Sequence, residues 1–326
     1  MRWPFPLRRV ALVGIAHWDE VESERLEEGH LNGMWTDLGS AAESRGVGVT
    51  RIQIKPRCWS TPAHVELDEE EIFYVLGGSG LSWQDGKTYE IGPGDCIVHR
   101  VAHEVHTLHA SDEGLDVLAF GERTDATATF LPRAGVMRMG PTVDVSAGPH
   151  PWAREAAAGA PDLTEPGERP STIVNVSSVD IDYDGPSGRW IALARKAGSE
   201  RTGLNWGRLN AGRGGAPPHC HAEDEEIFVV LEGNGTLELW PSPVRAATTE
   251  KETHELRAGH VISRRPSTGV SHHFRGGEGG MTFLAYGTNR PNDVCYYPRS
   301  NKIYWRGVGL IARLEPLDYD DGEPED

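Results

Sequence analysis

Apolar residues in this chain fall in short runs bounded by Gly, Pro, Asn and Asp. Two examples are Ile72-Phe73-Tyr74-Val75-Leu76 ahead of Gly77-Gly78, and Ile227-Phe228-Val229-Val230-Leu231 ahead of Gly233. Runs of that kind closed by turn residues predict β-strands, since a strand is short and a helix needs a longer apolar stripe. Amphipathic helical patterns are scarce. The acidic stretch from Asp19 to Glu28 has a helical look, and one helical turn is expected near Trp152 to Ala158. Ile303 to Leu314 carries enough apolar residues for a closing strand.

The runs recur. Trp35, Leu38, Pro62, His64, Glu70, Glu71, Ile72, Phe73, Leu76 and Gly78 reappear, about 155 positions later, as Trp190, Leu193, Pro217, His219, Glu225, Glu226, Ile227, Phe228, Leu231 and Gly233. The offset then grows by roughly ten at Glu90/Glu255 and Gly94/Gly259, and by one more at His106/His272 and Pro132/Pro298. Each jump falls where a loop is expected, the larger one around Val244 to His254. The chain therefore reads as two copies of one unit. The expected division is residues 1–140 with an N-terminal arm, a Pro-, Gly- and Ala-rich linker over 141–171, and residues 172–326 with an acidic tail. The segments before Trp35 and after Arg299 are expected to pack as arms on the neighbouring copy or on another subunit.

Side chains alternate faces along a strand, so His219 and His221 share a face while Cys220 points away. Glu226 opens the next apolar run, and His272 stands after a turn rich in Pro and Gly, from which it can complete the set. Three imidazoles and a carboxylate suit a divalent first-row metal such as Fe, Mn, Ni, Cu or Zn. Phe228, Val230 and Phe274 share the inward face and would surround that metal with an apolar shell. In the first copy His64, Glu71 and His106 correspond, but Glu66 replaces the second histidine. Two histidines and two carboxylates make either a harder metal site or a relic whose fold persists without metal. His99, His103 and His109 lie nearby without an assigned role.

These segments resemble the two motifs of the cupin superfamily, G-x5-H-x-H-x3,4-E-x6-G and G-x5-P-x-G-x2-H-x3-N. His219, His221, Glu226 and Gly233 keep the first spacing, with Gly214 one residue off its place. The second match is looser: Gly259 to Pro266 and Pro266 to Gly269 each carry an extra residue, and Gly276 stands where the motif has Asn, while Gly269-x-x-His272 is intact. With the repeat, the chain resembles a bicupin over nearly its whole length. The resemblance implies an all-β fold of two tandem antiparallel jelly-roll barrels with short flanking arms.

Composition limits the function. A formal net charge of −17 argues against nucleic acid, which requires a clustered basic surface. No apolar stretch approaches a membrane span, and Met1 to Val13 lacks the core of a secretory signal, so a cytoplasmic location is expected. The four cysteines, Cys58, Cys96, Cys220 and Cys295, show neither metal-type spacing nor the density of a disulfide scaffold. The tail from Asp318 to Asp326 reads as a solvated end.

Fold does not fix function, and three readings stay open. One is a metal-dependent oxidoreductase of dioxygenase type acting on a small chelating substrate, with Glu226 as ligand or base. The second is a metal-dependent isomerase or decarboxylase. The third is a non-catalytic small-molecule-binding cupin. A homodimer is expected from the arms and the broad β surfaces.

Overall fold

The computed structural model describes residues 13–322 apart from 125, 141–142, 145–147, 244, 247–248, 316 and 318–320. The signal-peptide reading on Met1 to Val13 and the acidic tail lie outside the described residues, but for Val13 and Asp321-Gly322.

Each apolar run is the start of a long strand, Glu71–Gln84 in the first copy and Glu226–Pro241 in the second. Each pairs antiparallel with a longer partner, His106–Glu122 or Val270–Thr288. The runs lack polar alternation because both of their faces are covered. Phe73 and Val75 point into the first barrel and Phe228 and Val230 into the second. Ile72 and Tyr74 instead meet Ile227 and Val229 in a core that the two copies share. Period-two alternation thus sends one set of side chains to the barrel interior and the other to the junction.

Both long strands are bulged at the same place in the repeat. Register shifts fall between Val75 and Gly80 in one copy and between Val230 and Gly235 in the other. Gly78 and Gly233 both sit there at φ +74°, and a Cβ on either would come within 2.2 Å of a carbonyl oxygen of the facing strand. Glycine is required at both.

Among the described residues two eight-stranded sheets and two four-stranded sheets result, one of each per copy. Each large sheet borrows a strand from the other half of the chain. Gly14–His17, ahead of the first copy, pairs with His260–Arg264 of the second. Ile173–Asn175, ahead of the second copy, pairs with Asp95–His99 of the first. The expected arm before Trp35 thus crosses to the neighbouring copy.

The acidic stretch Asp19 to Glu28, expected to be helical, is a turn followed by a strand. Glu24–Glu28 turns back at Gly29 and pairs with Leu31–Asp37. Leu26 is the one apolar side chain in that strand, so a helix there would have no stripe to bury, whereas an edge strand gains ladder hydrogen bonds without one. The helix Pro151–Ala157 lies where one turn is expected. The segment Ile303 to Leu314 supplies two short strands, Lys302–Trp305 and Leu310–Arg313, joined by a single helical turn.

The junction is locked by a reciprocal pair of buried carboxylates. Glu70 accepts hydrogen bonds from the Ser199 hydroxyl at 2.8 Å and from the backbone N–H groups of Glu200, Arg201 and Thr202. Its counterpart Glu225 accepts from the N–H groups of Arg45 and Gly46 at 2.8 and 2.6 Å. Each caps a turn in the other copy. Glu70→Ala strands several donors in a buried place and is expected to cost about 3 kcal/mol of unfolding free energy. Urea unfolding checks this, and a loss below about 0.5 kcal/mol, typical of a surface position, would refute the locking role.

Candidate metal centre

In the second copy His219 and His221 flank Cys220 on a short edge segment, with only Cys220–His221 formally in a strand. The segment is held by bridges to His272 on one side and to Val294–Tyr297 on the other. Glu226 starts the central long strand and His272 lies near the start of its partner. Three segments separated in sequence therefore converge, as the alternation argument requires. Single donor atoms of His219, Glu226 and His272 lie within 4.8 Å of one another. Glu226 Oε2 is 3.3 Å from His272 Nε2 and 3.5 Å from His221 Nε2.

Proton positions on the imidazoles are set from outside the cluster. His219 Nδ1 donates to the Pro217 carbonyl at 2.8 Å, and His221 Nδ1 donates to Asp293 Oδ2 at 2.6 Å. Each Nε2 is thereby left as an acceptor directed inward. His221 Nε2 and Glu226 Oε2 are buried and have no hydrogen-bond partner. Two buried acceptors facing each other are a costly arrangement unless a metal ion, or a proton on His221, fills the gap. The donor set therefore fits a divalent ion.

Electrostatics keep two of these imidazoles neutral and favour on the third, in the metal-free cluster, a proton that an ion would displace. Burial, aided by the neighbouring His219, pushes His272 well below the usual histidine range, and burial likewise lowers His219. Burial opposes charge on His221 too, but the Glu226 and Asp293 carboxylates lift it to about 9. Asp293 is 1% exposed. Burial resists its charge, yet the His221 hydrogen bond and the N–H groups of Glu223 and Asp224 hold it at about 2.

The first copy is closed on itself. His64 Nδ1 donates to Pro62 at 2.9 Å, repeating the His219 arrangement, but Glu71 Oε2 is bonded to His106 Nε2 at 2.8 Å. Glu66 is drawn aside, its Oε2 accepting from the Thr129 hydroxyl at 2.8 Å. Donor atoms of His64, Glu71 and His106 still lie within 4.8 Å, and Glu66 is 3.6 Å from His64. His99, which had no assigned role, is buried, stacked on His106 at 3.6 Å and bonded through Nδ1 to Glu104. His103 is exposed and bonds the same carboxylate.

Cavities separate the copies further. In the second, a cavity of about 470 Å³ reaches all four of His219, His221, Glu226 and His272 and is walled by Phe228, Phe274 and Phe283. Val230, expected beside them, packs in the core beneath. In the first, a cavity of about 570 Å³ reaches His64 and Glu66 but neither Glu71 nor His106, and Glu24, Glu27 and Glu28 ring it.

Sequence reasoning missed three residues. Asp293 has no periodic signal, yet at the offset of the second motif it stands opposite Thr127, so the copies differ there as they differ at His221/Glu66. Cys295 is the thiol that approaches His219 and His221, whereas Cys220 lies behind with Arg264. Arg264 is buried at the position of His99, since both pair with the cluster glutamate.

A family model described as Cupin domain matches residues 50–120. No curated protein matches the chain. Among solved structures, a Bacillus subtilis oxalate decarboxylase OxdC mutant aligns at TM-score 0.59 and 14% identity, over 86% of this chain and 78% of that one. An oxalate decarboxylase formate complex from Lactobacillus farciminis aligns at 0.59 and 15%, over 87% and 88%. A third, described for the Mn(II) centres of the Bacillus subtilis enzyme, aligns at 0.59 and 13%, over 88% and 80%. The chain thus has the bicupin fold, two cupin barrels in tandem, with the family-model match lying in the first.

Proposed function

We propose that this protein is a metal-dependent bicupin enzyme whose reaction centre is in the second barrel, an oxidoreductase of dioxygenase type acting on a small substrate that chelates through oxygen. The observation that carries this reading is the pair of unpartnered buried atoms, His221 Nε2 and Glu226 Oε2, facing each other beside His219 and His272 at the base of an apolar cavity. These four residues would hold a divalent first-row metal, which when bound supplies Lewis-acid and redox chemistry. The chain's own part is to place the substrate and exclude water. The Phe228, Phe274 and Phe283 walls keep the base of the cavity dry, and Asp293 and Pro217 fix the imidazole rings.

Dioxygenation puts both atoms of one O2 into the organic product and needs no separate proton donor held by the protein. That suits a cavity whose one carboxylate, among the described residues, is Glu226 itself. A decarboxylase reading is favoured by the fold likeness to oxalate decarboxylases, whose printed names give that activity. Decarboxylation leaves a carbanion equivalent that must take up a proton. His273, the histidine of this cavity outside the cluster, has Nδ1 tied to the Ala216 carbonyl at 2.8 Å.

Metal analysis of purified protein, followed by parallel oxygen-electrode and CO2-release assays on catechol-like, keto-acid and oxalate candidates, tests the proposal. Metal-dependent O2 consumption without stoichiometric CO2 is the expected result. CO2 release with no net O2 uptake would transfer the assignment to the decarboxylase reading. A chain that retains no first-row metal would remove both.

A further inference from the structure

The mouth of the first barrel is built unlike that of the second. Glu24, Leu26 and Glu28 alternate onto one face of their strand, and the ladder sets Glu24 directly opposite Trp35. That face is the barrel's, since Trp35 packs against the first core. Glu27 alternates to the other side, where it bonds Arg25. At the matching ladder position of the second barrel Tyr183 stands opposite Trp190, so only the first copy has an acid beside this tryptophan.

A second tryptophan comes from the linker. In the helix Pro151–Ala157, Trp152 and Ala156 are one turn apart and share a face. Ala156 approaches Gly29 so closely that a Cβ on that glycine would lie 2.8 Å from the alanine Cβ, and Trp152 meets Trp35 edge to face at 5.4 Å. The helix therefore lies across the mouth, beside the strand that carries Glu24 and Glu28. Its buried Glu155 pins it there by accepting from Arg133 at 2.7 Å. Both indoles line the cavity of about 570 Å³ that the helix covers.

Glu24 and Glu28 reach this cavity at its rim and Glu66 at its base. Against these three carboxylates stand Arg138, which is already engaged, and His64, which has Glu71 for a partner at 3.4 Å. The field inside is therefore negative. An indole face attracts a cation, and more strongly where water is displaced. From the indole pair, the acid set beside it and the cavity that both line, we propose that the first barrel binds an organic cation, a substituted ammonium whose charged head sits among Trp35, Trp152 and Glu24. The remainder of the molecule extends toward Glu66 and Thr129 at the base. A volume of about 570 Å³ is in the range of cavities that enclose small organic ligands, and far more than an inorganic ion fills. The site is separate from the cluster of the second barrel and does not rest on its metal.

Calorimetric titration of the full chain with choline, and with the neutral isostere in which carbon replaces its nitrogen, is the test. Choline is expected to bind about tenfold tighter than the isostere, the combined effect of the indole faces and one carboxylate. Glu24→Gln, at an exposed position, is expected to cut that gap about threefold and to leave the isostere's affinity unchanged. Trp152→Leu keeps an apolar side chain on the helix and is expected to cut the gap by a similar factor. Equal affinity for the two compounds, no choline binding at millimolar concentration, or a gap that Glu24→Gln does not move would overturn the proposal. If Trp152→Leu unseats the helix, as circular dichroism would show, the Glu24→Gln result decides alone.

Discussion

Replacing His219 and His221 together by alanine is expected to remove the metal of the second barrel, lowering affinity by at least on the order of a thousandfold. Structural four-donor sites hold their ions by roughly 10–16 kcal/mol, and this variant deletes half the donors. It is also expected to fold. Both rings lie on a short edge segment, and the cores of the barrels and of the junction do not include them. Glu226 loses the neighbour at 3.5 Å and keeps only His272 at 3.3 Å, too few donors to retain an ion against dialysis. The measurement is metal stoichiometry after dialysis, with circular dichroism as the folding control. Metal retained in the double variant but lost in His64→Ala would move the centre to the first barrel. Metal retained in both would reject these clusters as the binding sites.

That a double replacement can be chosen at all reflects what one chain discloses. The strands were legible because burial on both faces forces unbroken apolar runs, and Ile227 to Leu231 carries that signature as clearly as Ile72 to Leu76. The convergence of His219, His221, Glu226 and His272 was legible because alternation along an edge segment and a repeat offset are both counting rules. What counting cannot give is the third dimension of the junction. That Glu70 and Glu225 cap turns in each other's copy depends on how two sheets pack, and no local pattern encodes it. The acidic stretch Glu24–Glu28 misled for a related reason: its composition suits a helix, but the partner strand Leu31–Asp37 offers a ladder that propensity does not count.

Asp293→Ala is expected to weaken metal binding in the second barrel 10- to 100-fold, the usual cost of removing the carboxylate behind a ligating imidazole. Asp293 touches no substrate position and acts through His221, so it is a positioning residue. Its Oδ2 accepts the His221 Nδ1 proton at 2.6 Å, which fixes the tautomer and points Nε2 at Glu226, while its Oδ1 accepts from the Glu223 N–H at 2.9 Å and the Asp224 N–H at 3.2 Å. Without it the ring is free to rotate, and the other tautomer would put a proton where a lone pair is needed. Asp293→Asn should fall between: its amide oxygen can accept from either the ring or the backbone, but its NH2 group meets donors on the other side. The first copy supports the coupling, since it has Thr127 at the Asp293 position and Glu66 where the histidine would be. Competition titration against a chromogenic chelator measures the affinity, and thermal unfolding of the metal-free variants separates positioning from simple stability. An Asp293→Ala protein that melts earlier yet binds metal as tightly as the parent would show a structural carboxylate and nothing more.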